Sequence, residues 1–443
     1  MTETNQKSLE FGEAEEFLLS LEKLGMKMDL ENIRALMAFC GNPHLNLKAV
    51  HVAGTNGKGS TCAMLSSVMQ SAGMKVGLYT SPHIVSLTER IKINGKGISN
   101  IELARLVNYF KEKILEIRAT FFEALTAIAF KYFADQRVDI AVIETGLGGR
   151  LDATNIIEPL ISVITSIGLD HTEILGETLE KIALEKAGII KPEVPVVVNV
   201  NEESLKEIFL KIAQEKGSTI YFVDDVSDLK YSSVTLNEIV LDACIFNRKY
   251  TNVRVGLGGE FQILNTLTTL VTLQVMPRPG IYITWDAIYS GLRRVRENVN
   301  HNGRLQVVSD DPLILLDVGH NPDAMVILSS SVKSLASERE GVLLFGAMRD
   351  KDVKTMLKII APGFTHVALT QLKTARSLTL DELKLISDDI KLTAEIFSNS
   401  SEALSEAIRK VEKNGFLLVT GSHYLAGEIM PQLQNMHLTI GRQ

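Results

Sequence analysis

Cysteine is scarce in this 443-residue chain: Cys40, Cys62 and Cys244 stand far apart, with no CxxC among them. An odd, scattered set argues against a disulfide framework and reads as reduced thiols of a cytosolic protein. Long apolar runs are missing as well. None approaches the ~20 residues of a membrane-spanning helix, and Met1 to Glu10 is too polar for a secretory leader. The expectation is a cytoplasmic protein that does not enter a membrane. Basic residues are in deficit, 46 Lys and Arg against 53 Asp and Glu for a net charge of −7. A broad nucleic-acid footprint needs a basic face, so that class is set aside. Small anionic substrates stay open, because a few placed cations suffice to hold them.

What is present is ordinary for a globular protein: 45% hydrophobic and 22% charged residues. The length suggests two or three domains at ~100–200 residues each. Strands and helices alternate from the start. Lys48 to Ala53 reads as a buried strand, Ser60 to Ala72 as a helix and Val76 to Thr80 as the next strand. This is the βαβ pattern of parallel sheets. Ile140 to Glu144, Ile161 to Ser166 and Val194 to Val200 continue it, with helices over Ala124 to Phe133 and Leu179 to Ile190. Residues Asn201 to Gly258 are less regular, and runs such as Ser218 to Val223 and Asn252 to Val255 read as a small antiparallel appendage. Val295 to Asn302 is polar and without apolar periodicity, the candidate linker; alternation then restarts at Leu313 to Asp317 and runs to Phe416 to Thr420. The expected division is residues 1–297, a linker over 298–303, and a second, smaller open α/β sheet over 304–443.

The most specific local signal is Gly54-Thr55-Asn56-Gly57-Lys58-Gly59-Ser60-Thr61, between a strand and a helix. Glycines let several backbone N–H groups turn into one concavity, and the helix N-terminus adds partial positive charge. Lys58 reaches outer phosphates as a point charge. The pattern departs from GxxxxGK[ST], since Gly59 rather than a hydroxyl residue follows the lysine. Another residue must therefore help hold Mg²⁺. Glu144, an acid at the carboxyl end of a buried strand, is a candidate, because ligands of open α/β sheets gather at that edge. Taken alone, His171 reads as a loop histidine, Lys186 as a solvated helix lysine and Ser81 as a loop serine.

Together these segments resemble the folylpolyglutamate synthase/dihydrofolate synthase family, relatives of the Mur ligases. The matching stretches, in order, are HVAGTNGKGST (51–61), YTSP (79–82), ERIKING (89–95), FFEALTAIAF (121–130), ETGLGGRLDATN (144–155), GLDHTEILG (168–176), EKAGIIK (185–191), DVGHNP (317–322), FGAMRDKD (345–352) and GSHYLAG (421–427). The resemblance implies an N-terminal P-loop ATPase domain and a C-terminal Rossmann-like domain with the active site between them. It implies that Gly57, Lys58 and Ser60 cradle phosphate, within a loop that also supplies Gly54, Asn56, Gly59 and Thr61. It implies that Ser81 and Glu144 bind one Mg²⁺ and His171 a second, and that Lys186 is carbamylated. CO₂ added to that amine makes a carboxylate-like group able to bind a cation. Asn265 and Arg304 match nucleotide-contacting positions; Asp317 and His320 match residues facing the ATP site. Departures exist: Phe261 where the family often has His, His301-Asn302 where it often has Trp-Pro, and Val318-Gly319 in its Asp-Gly-Ala-His motif.

The implied reaction is ATP-dependent amide formation with L-glutamate, through an acyl phosphate, with Lys58, His171 and Lys186 in catalytic roles. Leu151 to Asn155 resembles the bifunctional bacterial version, in which Asp152 and Ala153 line the pterin pocket, and Phe122 is placed to stack there. Dihydropteroate and reduced folates are then both substrates; a monofunctional folylpolyglutamate synthase is the alternative. Lys351 and Asp352 are candidates for the glutamate side or for closure. A Mur-type ligase usually carries a separate uridine-nucleotide domain before the loop, and the stretch up to Val52 is too short for one. A nucleotide switch has no use for a second metal site. A monomer is the family expectation.

Overall fold

The computed structural model describes residues 9–25, 27–277, 280–336 and 339–436. The polar opening read from Met1 to Glu10 lies mostly outside them. Strand β1 (Ala49–Ala53) is buried on both faces along its whole length, as a central strand of a covered parallel sheet must be. Around it lie β2 (Val76–Tyr79), β3 (Ile91–Ile93), β4 (Lys96–Gly97), β5 (Ile140–Glu144), β6 (Ile161–Ile164), β7 (Val196–Val198) and β8 (Ile220–Phe222). They form one eight-stranded sheet in the order β4-β3-β2-β5-β1-β6-β7-β8. Pairing is parallel except at β3 and β4. The register sets Val52 opposite Glu144 and Ala53 opposite Ile164. The loops leaving β1, β5 and β6 therefore open at one level.

One face of the sheet packs the Lys58–Ser71 helix, which in turn carries the Phe261–Val275 and Trp285–Arg293 helices. A three-stranded antiparallel sheet joins that core: β9 (Ser227–Val234), β10 (Ile239–Ile245) and β11 (Arg248–Val255). The other face is covered by the Phe11–Ser20, Glu31–Phe39, Asn100–Ile117 and Phe121–Asp135 helices. Beyond residue 305 a second sheet forms from β12 (Gln306–Asp310), β13 (Leu313–Leu316), β14 (Gly341–Phe345), β15 (His366–Thr370), β16 (Glu395–Phe397) and β17 (Phe416–Thr420). Its order is β12-β13-β17-β14-β15-β16, parallel but for β12. Each of its faces has its own apolar core. Among the described residues no helix is long and apolar enough to cross a membrane.

Three expectations need correction. Ser218 to Val223 does not belong to the antiparallel appendage: β8 pairs in parallel with β7 and extends the large sheet. The irregular stretch from Asn201 contains a helix, Glu203–Glu215, whose buried Leu205, Phe209 and Ala213 recur every four residues. Within the polar stretch Val295 to Asn302, Val295–Val299 is a short helix that buries Val295 and Val299, a single i,i+4 pair too brief to register as a period.

Phe133 shows how tightly the large sheet is covered. It is fully buried, and a Cβ built on Gly77 of β2 would lie 2.9 Å from its ring. Phe133→Ala leaves a cavity against bare backbone. A loss of about 3–5 kcal/mol is expected, read as a lower midpoint in denaturant titration.

Candidate active site

The phosphate loop begins where β1 ends. Gly54 has φ +150°, and a Cβ there would lie 2.0 Å from Thr165 Oγ1. Gly57, at φ +86°, caps the Lys58–Ser71 helix, and its Cβ would lie 2.4 Å from Asn265 Oδ1. Only glycine fits either place. The loop is laced to the end of β6. Thr55 N donates to Ser166 O (2.8 Å), Asn56 N to Ser166 Oγ (2.9 Å) and Thr165 Oγ1 to Asn56 O (2.6 Å). Lys58 folds back over this turn, its Nζ donating to Gly54 O and Thr55 O at 2.9 Å each. Ser60 Oγ accepts from Gln262 Nε2 and lies 3.3 Å from His301 Nε2. Asn265 donates to Gln262 Oε1 at 3.0 Å. Thr61 is fully buried, its hydroxyl without a partner among the described residues.

Lys186 arrives from the Leu179–Ala187 helix, and its Nζ donates to the same Gly54 carbonyl at 2.8 Å. It is 4% exposed. Burial, and then the nearby Lys58 charge, push its pKa down to about 7. The solvated-lysine reading is thereby overturned. Glu144, at the end of β5, is also buried and accepts from Ser81 N at 3.1 Å. Burial raises its pKa, against the pull of Lys58. Among the described residues no three His, Cys, Asp or Glu side chains converge on one point.

His171 has φ +50° and opens the short Thr172–Leu175 helix. The residue before it, Asp170, gathers the second sheet's contributions. Lys351 Nζ donates to Asp170 Oδ1 at 2.6 Å and lies 3.2 Å from His171 Nε2. Asn321 Nδ2 donates to Asp170 Oδ2 at 3.1 Å, and His320 Nε2 lies 3.5 Å from that oxygen. Asn321 and Asn56 exchange amide hydrogen bonds at 3.2 and 3.4 Å. Burial opposes the charge on Asp170, but the His320 hydrogen bond and the Lys351 ammonium hold its carboxyl far below the usual range. Burial, then Lys351, lower His171 to about 4, so it is neutral at physiological pH. Asp352 does not take part. It caps the Val353–Ile360 helix, accepting from Thr355 N at 3.1 Å.

Gly54 to Gly59, Ser81, Glu144, Asp170, His171, Lys186 and Lys351 face one cavity of roughly 390 Å³, which also reaches Arg304, His320, Phe122, Asp152 and Ala153; Ser60, Thr61, Asn265 and Asp317 do not line it. The Phe122 ring lies on Gly146, where a Cβ would approach it to 2.5 Å. Asp152 spends its carboxylate internally, on the N–H groups of Gly146, Leu147 and Thr154 and on the Thr154 hydroxyl. Asp317 is likewise committed, to Leu305 N and Gly319 N at 2.9 and 2.7 Å. Sequence reasoning missed Asp170 and Asn321, although both stand inside quoted motifs. It also missed the wall made by Gly25, Lys27, Met28 and Asp29, which no local pattern marks.

The Mur ligase middle domain matches residues 52–273 and the Mur ligase glutamate ligase domain matches residues 303–423. The chain is 35% identical to the dihydrofolate synthase/folylpolyglutamate synthase of Bacillus subtilis, over 93% of this chain and 96% of that one. It superposes on Escherichia coli FolC in complex with DHPP and ADP with a TM-score of 0.85, at 28% identity over 96% of this chain and 98% of the other. A bifunctional folylpolyglutamate synthase/dihydrofolate synthase with Mn, AMPPNP and L-glutamate bound gives 0.84, at 29% identity over 97% and 100%. With similarity of this order sustained along nearly the whole of both partners, the protein belongs to the dihydrofolate synthase/folylpolyglutamate synthase family of Mur ligases.

Proposed function

We propose that the protein activates the carboxylate of dihydropteroate, and the γ-carboxylate of reduced folates, with ATP and joins each to L-glutamate. The observation that carries this is the single cavity into which the phosphate loop, Glu144, Lys186 and the Asp170–Lys351 cluster all open. A carboxylate resists attack because it is already an anion. Transfer of a phosphoryl group to it creates a leaving group; the amine of glutamate then forms the C–N bond as the C–O bond to phosphate breaks. The chain's part is to position these groups and neutralise charge on the phosphoryl oxygens. Lys58 is set for that, since it need only leave two loop carbonyls to reach a phosphate. Gly54, Asn56, Gly57, Gly59 and Ser60 frame the nucleotide end, with Asn265 and Arg304 beside it.

The donor chemistry fits divalent metal. Glu144 is a buried carboxylate whose charge is opposed by its surroundings, so a cation beside it and Ser81 relieves that cost. His171 offers a neutral imidazole. A divalent ion held by these residues would supply positive charge to offset the negative charge on the phosphate oxygens. Lys186 suits carbamylation, because CO₂ reacts with an unprotonated amine and this one is depressed to about 7. In this reading residues 1–297 hold the nucleotide, and residues 304–443, joined through 298–303, close over it and exclude water. Phe122 and Ala153 give the pterin an apolar wall, while Asp152 shapes the loop beside it.

Amide product is expected from ATP, Mg²⁺ and glutamate with either dihydropteroate or tetrahydrofolate, read by chromatography alongside phosphate release. Product from tetrahydrofolate alone would make the enzyme monofunctional, and ATP turnover indifferent to both pterins would remove the folate assignment. Lys186→Met should lower kcat roughly 100-fold. The ¹³C carbamate signal from labelled bicarbonate should grow between pH 6 and 8, as the amine loses its proton, and vanish in that variant. Gly57→Ala forces a Cβ toward Asn265, so the nucleotide Kd should rise about tenfold in calorimetry, a cost of the size backbone strain imposes.

A further inference from the structure

Lys351 comes from the loop after β14, on the second sheet, and reaches across to the first. Its ammonium contacts Asp170 Oδ1 and His171 Nε2, and both lysine and aspartate side chains are about nine-tenths buried. An ammonium has hydrogens to give and no lone pair. His171 must therefore present its Nε2 lone pair to Lys351 and carry its own proton on Nδ1. That lone pair is the one His171 has for a metal ion from this side of the ring. It serves one cation at a time.

We propose that the Lys351 ammonium is a resident stand-in for the second divalent ion, and that a metal binding through His171 must displace it. This rests on the reading of His171 as a metal ligand. The exchange needs little rearrangement. The loop backbone is held independently, by Arg376 on Asp350 at 3.0 Å, Arg349 on Glu382, and an antiparallel bridge between Met348 and Ser377. Only the four-carbon lysine stem has to swing. The displaced ammonium stays in the cavity that it lines, so loading of the metal frees a cation there for an anionic group. In the metal-free state the same ammonium compensates Asp170, whose other oxygen is already taken by Asn321 and His320.

Two measurements on the full chain test this. In the first, Mn²⁺ binding is titrated by the loss of its free EPR signal, with a nonhydrolysable ATP analogue present. Lys351→Met should bind the His171-dependent ion about tenfold more tightly. Lys354→Met, which removes the same charge three residues on, in the helix that follows the loop, should leave binding unchanged. Equal or weaker binding by Lys351→Met, or equal tightening by Lys354→Met, overturns the proposal. In the second, the wild-type chain is reductively methylated and Lys351 is followed by mass spectrometry. Labelling should rise several-fold when Mn²⁺ joins the analogue; no rise, or protection, overturns the proposal even if the variant does not fold. His171→Ala separates the two levels. If it binds as many ions as wild type, the metal reading of His171 falls and the stand-in falls with it. If it loses one ion while Lys351 labelling ignores the metal, the stand-in alone is wrong.

Discussion

The carbonyl oxygen of Gly54 carries two lysines. Lys58 and Lys186 both donate to it, at 2.9 and 2.8 Å, one from each of two helices. Two ammonium groups on one oxygen repel, and burial makes the repulsion costly. Burial first, and then that repulsion, bring Lys186 to about 7, into the range where an amine is chemically available. The arrangement depends on Gly54 having no side chain, since Thr165 fills the space behind it. It depends equally on the register that lines β1 up with β5 and β6. Shift either strand by one residue and Glu144 and Thr165 leave the level of the loop.

Asp170 organises the other half of the cavity. Its two oxygens gather Lys351, His320 and Asn321, three groups from the second sheet. An unpaired carboxylate this buried would be expensive; here the partners supply its compensation, and the contact ties loops of the second sheet to the first. The two ends of the cavity thus differ in what the cations meet, a neutral carbonyl at Gly54 and a carboxylate at Asp170. Cations crowd Gly54, and cations also answer an anion at Asp170.

The large sheet was readable because its strands are covered on both faces and appear as short, continuous apolar runs. β8 is hard to place from sequence because three residues at a sheet edge have no periodicity to offer, and the Glu203–Glu215 helix shows itself only in the four-residue spacing of Leu205, Phe209 and Ala213. In the site, the glycine and lysine pattern around Lys58 was legible from backbone physics alone. Lys186 and His171 were not; a lone lysine on a helix and a lone histidine in a loop carry no geometry, and only the family resemblance raised them. The Asp170 cluster was illegible for another reason. Asn321 lies 151 residues away and Lys351 lies 181 away, and contacts at that range leave no trace in local spacing.

The reciprocal amides of Asn56 and Asn321 have a different character from everything beside them. Each side chain gives a hydrogen and takes one, and neither has a charge. Ions in solution screen the Asp170 contacts to the extent that water reaches them, but have little purchase on a neutral amide pair. Nor does pH, across any range a cell visits. The phosphate loop and the second sheet therefore share a fastening that carries no charge of its own, made by the same Asn321 amide that also donates to Asp170.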